Sequence, residues 1–158
     1  MLDSASKINV YAPTWKNERE IIGQDLTNLY TFDLSGKVID TKLIAGLIGK
    51  DLTIASSNRF FYTKDGQKLI FNAGNNDVLD GLTGPAEAIY ILDLASKKIE
   101  RLSPKGVNVP YVFVTADDRI FYSGMEKPFT QSKIYVSDLS ENNKIVVDKG
   151  TNPTGALK

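Results

Sequence analysis

Apolar residues along this chain come in short β-rich runs separated by small polar turns, and the order of runs and turns repeats. Each unit opens with a β-rich segment that runs into an acidic turn, often with glycine. A short apolar strand follows, then a loop of variable length. Next comes a strand reading Tyr-x-x-Asp-Leu, a polar turn and a last strand. Such runs predict antiparallel hairpins. Last strands are predicted over Val38–Ile44, Lys98–Leu102 and Lys144–Val147. Nothing longer than one turn reads as helix. The best stretch, 17–26, holds Gly23 and a strand-like Ile21-Ile22 pair.

Two motifs carry the repeat. Tyr30-Thr-Phe-Asp33-Leu34, Tyr90-Ile-Leu-Asp93-Leu94 and Tyr135-Val-Ser-Asp138-Leu139 are each preceded by an apolar residue: Leu29, Ile89 and Ile134. Upstream lies an acidic turn, clearest in Tyr62-Thr63-Lys64-Asp65-Gly66. The third copy runs Val114-Thr115-Ala116-Asp117-Asp118, and the first, looser copy runs from Pro13 and Trp15 to Ile22. From Trp15 to Tyr62 is 47 residues, and from Tyr62 to Val114 is 52. Repeats of roughly 40–50 residues belong to β-propellers.

Each signature residue has a structural reason to recur. Asp33, Asp93 and Asp138 stand before polar turns, where a carboxylate accepts bonds from turn N–H groups. Tyr30, Tyr90 and Tyr135 suit packing between blades. Gly66 suits a turn position with positive φ. Trp15, the only tryptophan, is expected in core or inter-blade packing.

The repeats resemble those of TolB and its relatives, a WD-repeat-like propeller family. Its signature joins a Pro-x-Trp-Ser-Pro-Asp-Gly-Lys turn to a short apolar strand and Ile-Tyr-x-x-Asp. Asp65-Gly66 and Ile89-Tyr90-x-x-Asp93 match best; Pro13-x-Trp15 supplies the aromatic half without Asp-Gly, and Asp118 replaces glycine in the third copy. The resemblance covers nearly the whole chain. It implies an all-β fold of about three four-stranded antiparallel blades, spanning about 7–46, 51–103 and 107–149 of a single propeller segment. It also implies a bacterial periplasmic or extracellular location, with a cytoplasmic one still open.

Propellers typically hold 4–8 blades, and repeat arrays need polar caps. Three blades therefore set up an expectation of open apolar faces. The leading explanation is a fragment of a larger ring, since Asn152-Pro153-Thr154-Gly155 echoes Pro13-Thr14-Trp15. A dimer-completed six-blade ring and packing on another partner are the alternatives.

Composition narrows the chemistry. With 19 basic and 19 acidic residues the formal net charge is zero, and no basic stripe stands out; nucleic acid and a polybasic membrane anchor are not expected. The chain has no cysteine and no histidine. Ser-His-Asp and Cys-His catalytic units and the common zinc sites cannot be assembled from it alone. The N-terminus lacks an apolar signal-peptide core, and no run reaches the roughly 18 apolar residues of a membrane span.

The loop 73–84 resembles the glycine- and aspartate-rich calcium repeat. Asn75, Asp77 and Asp80 offer hard oxygen ligands, so calcium is the one cofactor to weigh. But the motif occurs once, and a polar insertion between strands is the simpler reading, with no cofactor. The loops 73–87 and 124–133 hold equivalent places in neighbouring units. They carry Leu79, Leu82, Met125, Phe129 and Gln131, groups suited to a protein partner.

These features favour a non-enzymatic protein-binding or scaffold module whose partner is another protein or the remaining blades. One alternative is an accessory propeller that gates a prolyl-oligopeptidase-like protease, with the catalytic residues elsewhere. Another is a carbohydrate-active propeller, although no convincing carboxylate pair stands out.

Overall fold

The polar turns fold as the repeat predicts, and the runs between them pair into three four-stranded antiparallel sheets. A computed structural model describes residues 8–127, 130–140 and 142–154. The first sheet holds β1 (Tyr11–Asn17), β2 (Glu20–Gln24), β3 (Asn28–Asp33) and β4 (Val38–Leu43). The second holds β5 (Phe60–Tyr62), β6 (Lys68–Asn75), β7 (Ala86–Asp93) and β8 (Ile99–Arg101). The third holds β9 (Asn108–Val114), β10 (Ile120–Met125), β11 (Lys133–Ser137) and β12 (Lys144–Val147). Every sheet is a meander in chain order. These are propeller blades, with β1, β5 and β9 as the first strand of each.

Strand alternation divides the side chains between two cores. In β6, Leu69, Phe71 and Ala73 face the first sheet, while Ile70 faces the third; in β7, Ala88, Tyr90 and Leu92 face the first, while Ile89 and Ile91 face the third. The middle sheet is thus buried on both sides and reads as a continuous apolar run. The first core adds Ile22 and Leu29, and the second adds Val112, Val114, Ile120 and Tyr122.

Tyr90 and Tyr135 behave as inter-blade fillers, while Tyr30 belongs to neither core. Tyr90 lies in the first core and Tyr135 in the second, where it stacks on Tyr122 with ring centroids 4.9 Å apart. Tyr30 is buried against Phe32, and its hydroxyl donates to Asp25 at 2.7 Å.

Trp15 corrects an expectation. It is 58% exposed and belongs to neither core. The same alternation explains it: neighbouring Thr14 points at the second sheet, donating to the Phe60 carbonyl at 2.5 Å, so Trp15 points the other way.

A second correction concerns the stretch after β4. The predicted last strand ends at Leu43, and a one-turn helix α1 (Ile44–Ile48) follows. Ile44, Leu47 and Ile48 stand at i, i+3 and i+4 and seal the first core. Residues 17–26 form the end of β1, a turn and β2. Among the described residues no helix is long and apolar enough to cross a membrane.

Candidate functional site

The meander sorts the connections by end. The β1–β2, β3–β4 and equivalent hairpin turns lie at one end of the blades. The β2–β3, β6–β7 and β10–β11 loops lie at the other, together with the crossovers between blades. The two ends differ in chemistry.

At the hairpin end the carboxylates are committed to backbone. Asp33 Oδ1 accepts from the N–H groups of Ser35 and Lys37, Asp93 Oδ1 from Ala95 and Ser96, and Asp138 Oδ1 from Ser140 and Asn142. Bonds from Ser35, Ser96 and Asn142 respectively are the chief reason that each stays below the ordinary carboxylate range. The acidic turns share one geometry too. Thr63 Oγ donates to Asp65 Oδ1 at 2.6 Å, and Thr115 Oγ donates to Asp117 Oδ1 at 2.5 Å. Gly66 has φ 70°, and Asp118 takes the corresponding left-handed position with φ 61°. At this end each motif carboxylate accepts bonds from its own turn.

At the loop end, three glycines let the chain cross closely over the second strand of each blade. A Cβ on Gly23 would meet Val10 at 3.0 Å, one on Gly74 would meet Thr53 Oγ at 2.5 Å, and one on Gly124 would meet Val107 at 2.7 Å. Thr53 and Gly74 also exchange both backbone hydrogen bonds, each 2.9 Å. The sequence signal was present: Gly23, Gly74 and Gly124 are 51 and 50 residues apart. Both presumed loops are consequently shorter than the sequence suggests. β6 continues through Asn75 and β10 through Met125, leaving connections 76–85 and 126–132.

The possible calcium ligands are spread over other tasks. Asn75 Nδ2 donates to the Tyr90 hydroxyl at 2.9 Å, and Asn75 Oδ1 accepts from Asp77 N–H at 2.7 Å. The Asp77 carboxylate pairs with Arg101, whose guanidinium also donates to the carbonyls of Ser103 and Pro104. Asp80 is exposed. Asn75 and Asp77 thus anchor the long loop to its own blade. Among the described residues no three Asp or Glu side chains gather to hold a metal.

Of the contact candidates, Leu79 and Leu82 lie half-buried in the 76–85 loop, where Leu82 N–H closes a turn on the Leu79 carbonyl. Met125 is half-buried at the end of β10. Phe129 lies outside the described residues. Val78, which sequence reasoning did not single out, is 93% exposed at the loop tip.

Beneath these loops, between the second and third sheets, lies a polar cluster with no signature in the sequence. Glu87 Oε2 accepts from Asn72 Nδ2 at 3.0 Å, and Glu87 N–H donates to Asn108 Oδ1 at 2.8 Å. Asn72 Oδ1 in turn accepts from Arg59 N–H, and the Arg59 guanidinium lies over the Tyr111 ring at 4.4 Å. Burial pushes the Glu87 carboxyl above its ordinary range, against the opposing bond from Asn72. The amide oxygens of Asn58, Asn72 and Asn108 are all taken by backbone N–H groups. The cluster is therefore a brace between blades.

Comparison with solved structures places this architecture. TolB from Acinetobacter baumannii superimposes with a TM-score of 0.57 at 21% identity, over 87% of this chain and 32% of that one. A putative TolB from Agrobacterium tumefaciens gives 0.46 at 12%, over 89% and 62%. A structure from a study of two prolyl endopeptidases gives 0.47 at 14%, over 89% and 22%. No protein-family model matches the chain, and no curated protein matches it by sequence. The chain has a TolB-like propeller fold and spans about a third of the Acinetobacter protein.

Proposed function

We propose that this TolB-like segment is a non-catalytic protein-binding module, acting as part of a larger propeller ring. The observation that carries the reading is the division of labour between its two ends. The hairpin end spends its acids on its own turns. The loop end sets two connections side by side on adjacent blades and holds Val78 out in solvent at 93% exposure. Arg101 and Tyr90 pin the base of the longer loop, so its tip is presented on a fixed mount. Contacts on a held loop cost less ordering entropy than contacts on a free one. Leu79 and Leu82 lie half-buried in the same loop and Met125 half-buried at the same end of the adjacent blade, and the partner such groups suit is a protein with an apolar patch of its own. The remaining blades are the partner for the two outward sheet faces. Location outside the cytoplasm belongs to the same proposal, with the TolB likeness as its support.

Site-specific photo-crosslinkers test the working end. Placed at Val78, Leu82 and Met125 of the natural gene product in its own cell, they are expected to trap a protein, whereas placed at Lys64, Ala95 and Ser140 they are not. Crosslinks confined to the second set would overturn the assignment. Fractionation of the same cells checks the location.

A further inference from the structure

The chain holds two Asp-Gly steps, Asp65-Gly66 and Asp80-Gly81, and no Asn-Gly step. Aspartate before glycine is the pairing most open to cyclisation, because glycine sets no side chain beside its own nitrogen and lets the backbone turn. The fold treats the two steps oppositely. Asp65 Oδ1 accepts from Thr63 Oγ at 2.6 Å and from Gln67 N–H at 3.0 Å. Gly66 N–H donates to the Thr63 carbonyl at 2.7 Å. Both reacting groups of this step are thus occupied. Asp80 and Gly81 are instead the central residues of the turn that Leu82 N–H closes on the Leu79 carbonyl at 3.0 Å, and both are exposed. Gly81 takes the left-handed turn position with φ 85°. Among the described residues nothing bonds to the Asp80 carboxylate, and nothing accepts from Gly81 N–H. Thr83 and Gly84 beside them are exposed as well, and a Cβ on Gly84 would meet nothing within 4 Å. The tip has the open packing that local rearrangement needs.

We propose that Asp80-Gly81 is a spontaneous modification site at which aspartate isomerises to isoaspartate, and that the turn at Asp65-Gly66 withholds the same chemistry. The Asp80 carboxylate takes a proton from solvent, and the Gly81 nitrogen attacks Cγ. An N–C bond forms, a C–O bond breaks, and the amide proton leaves with the hydroxyl as water. Water then opens the cyclic imide. Addition at Cγ restores aspartate, whereas addition at the main-chain carbonyl gives isoaspartate, whose backbone runs through Cβ and Cγ. Water lost equals water gained, so the mass is unchanged and no other reactant is needed. The product carries an extra backbone methylene between Leu79 and Leu82, which opens the turn that sets their spacing. The effect on recognition rests on the protein-binding reading above; the isomerisation itself does not.

Ageing the 158-residue chain at neutral pH and body temperature, followed by peptide mapping with electron-based fragmentation, tests the site. Isoaspartate is expected at Asp80, accumulating at least about tenfold faster than at Asp65, where bonds to the carboxylate must break first. In concentrated urea, which removes both turns, the two rates are expected to come within about threefold of each other. Asp80→Asn reaches the same imide with loss of ammonia in place of water, and is expected to lose its amide and give the same two products. The position is exposed, so folding is not at stake. No isoaspartate at Asp80, equal rates in the folded chain, a gap that persists in urea, or an Asp80→Asn chain that keeps its amide would each overturn the proposal. Every readout is a peptide of this chain alone, so failure of the protein-binding reading would show separately, in the crosslinks.

Discussion

Asp118 Oδ1 accepts a hydrogen bond from the backbone N–H of Lys64 at 2.8 Å, tying the acidic turn of the third blade to that of the second. Asp118 holds the left-handed turn position with φ 61°. Aspartate is among the few non-glycine residues that visit this region routinely. The residue that breaks the glycine rule of the repeat is therefore also the residue that links two turns.

Three substitutions separate those two roles. Asp118→Asn keeps an acceptor and a tolerated backbone, and stability is expected to stay within about 0.5 kcal/mol of the parent. Asp118→Gly frees the backbone and loses the bond, a net loss of about 0.5–1 kcal/mol. Asp118→Ala loses the bond and strains the backbone, at about 2–3 kcal/mol. Urea denaturation of the four proteins gives the order.

The glycines make a sharper contrast. A Cβ on Gly124 would lie 2.7 Å from Val107 and 2.8 Å from the Tyr135 ring. Gly124→Ala is expected to destabilise by about 1–3 kcal/mol, as overpacked cores do. Gly46, inside α1, has nothing within 4 Å of its would-be Cβ. Gly46→Ala is expected to stabilise by about 0.5–1 kcal/mol through helix propensity. Paired thermal melts check both signs.

Acid behaviour divides the carboxylates into two groups. Glu87 is held above its ordinary 4.5 by burial. Its protonated form is favoured in the fold, so the stabilisation it gives is complete below 4.5 and is lost as pH rises through the raised value. Glu87→Gln is expected to remove that loss, gaining on the parent as pH climbs from 4 to 8. Asp33, Asp65, Asp93, Asp117 and Asp138 are all held below their ordinary 3.8. Their stabilisation is complete above 3.8 and fades as pH falls through the lowered values. Denaturation midpoints across pH 2–8 for parent and Glu87→Gln separate the two trends.

Arg101 holds the long loop through Asp77 while its other donors hold the crossover at Ser103 and Pro104. Arg101→Met keeps much of the stem packing but cuts all three bonds. Residues 76–85 are expected to exchange amide hydrogens and to be nicked by protease faster, while β6 and β7 keep their protection. Hydrogen exchange read by mass spectrometry locates the change.

The blades were legible because two local rules repeat: a carboxylate that satisfies its own turn, and a tyrosine one residue past an apolar neighbour. Both need only nearby residues. The Glu87 brace was not legible, because its partners Asn72 and Asn108 come from the second strand of its own blade and from the next blade. Nothing in local sequence marks that meeting. Trp15 was misread for a related reason: its side follows from Thr14 reaching Phe60, a contact 46 residues away. The crossover glycines stand between these cases. Their spacing was visible, but its cause, a chain segment lying over each strand, exists only in the fold. Composition marked Asn75, Asp77 and Asp80 as oxygen-rich, but the contacts of Asn75 with Tyr90 and of Asp77 with Arg101 exist only in the fold.

The anchoring of the 76–85 loop at its base has a consequence for how such a chain can diverge. With Asn75 and Asp77 fixed, residues between Val78 and Gly84 can change in identity and number while the ladder below keeps its register. Doubling a flexible loop adds only about 0.6 kcal/mol of closure cost. A lineage, or a library, can therefore rewrite what this end recognises at little thermodynamic risk, while the hairpin end tolerates almost no edits.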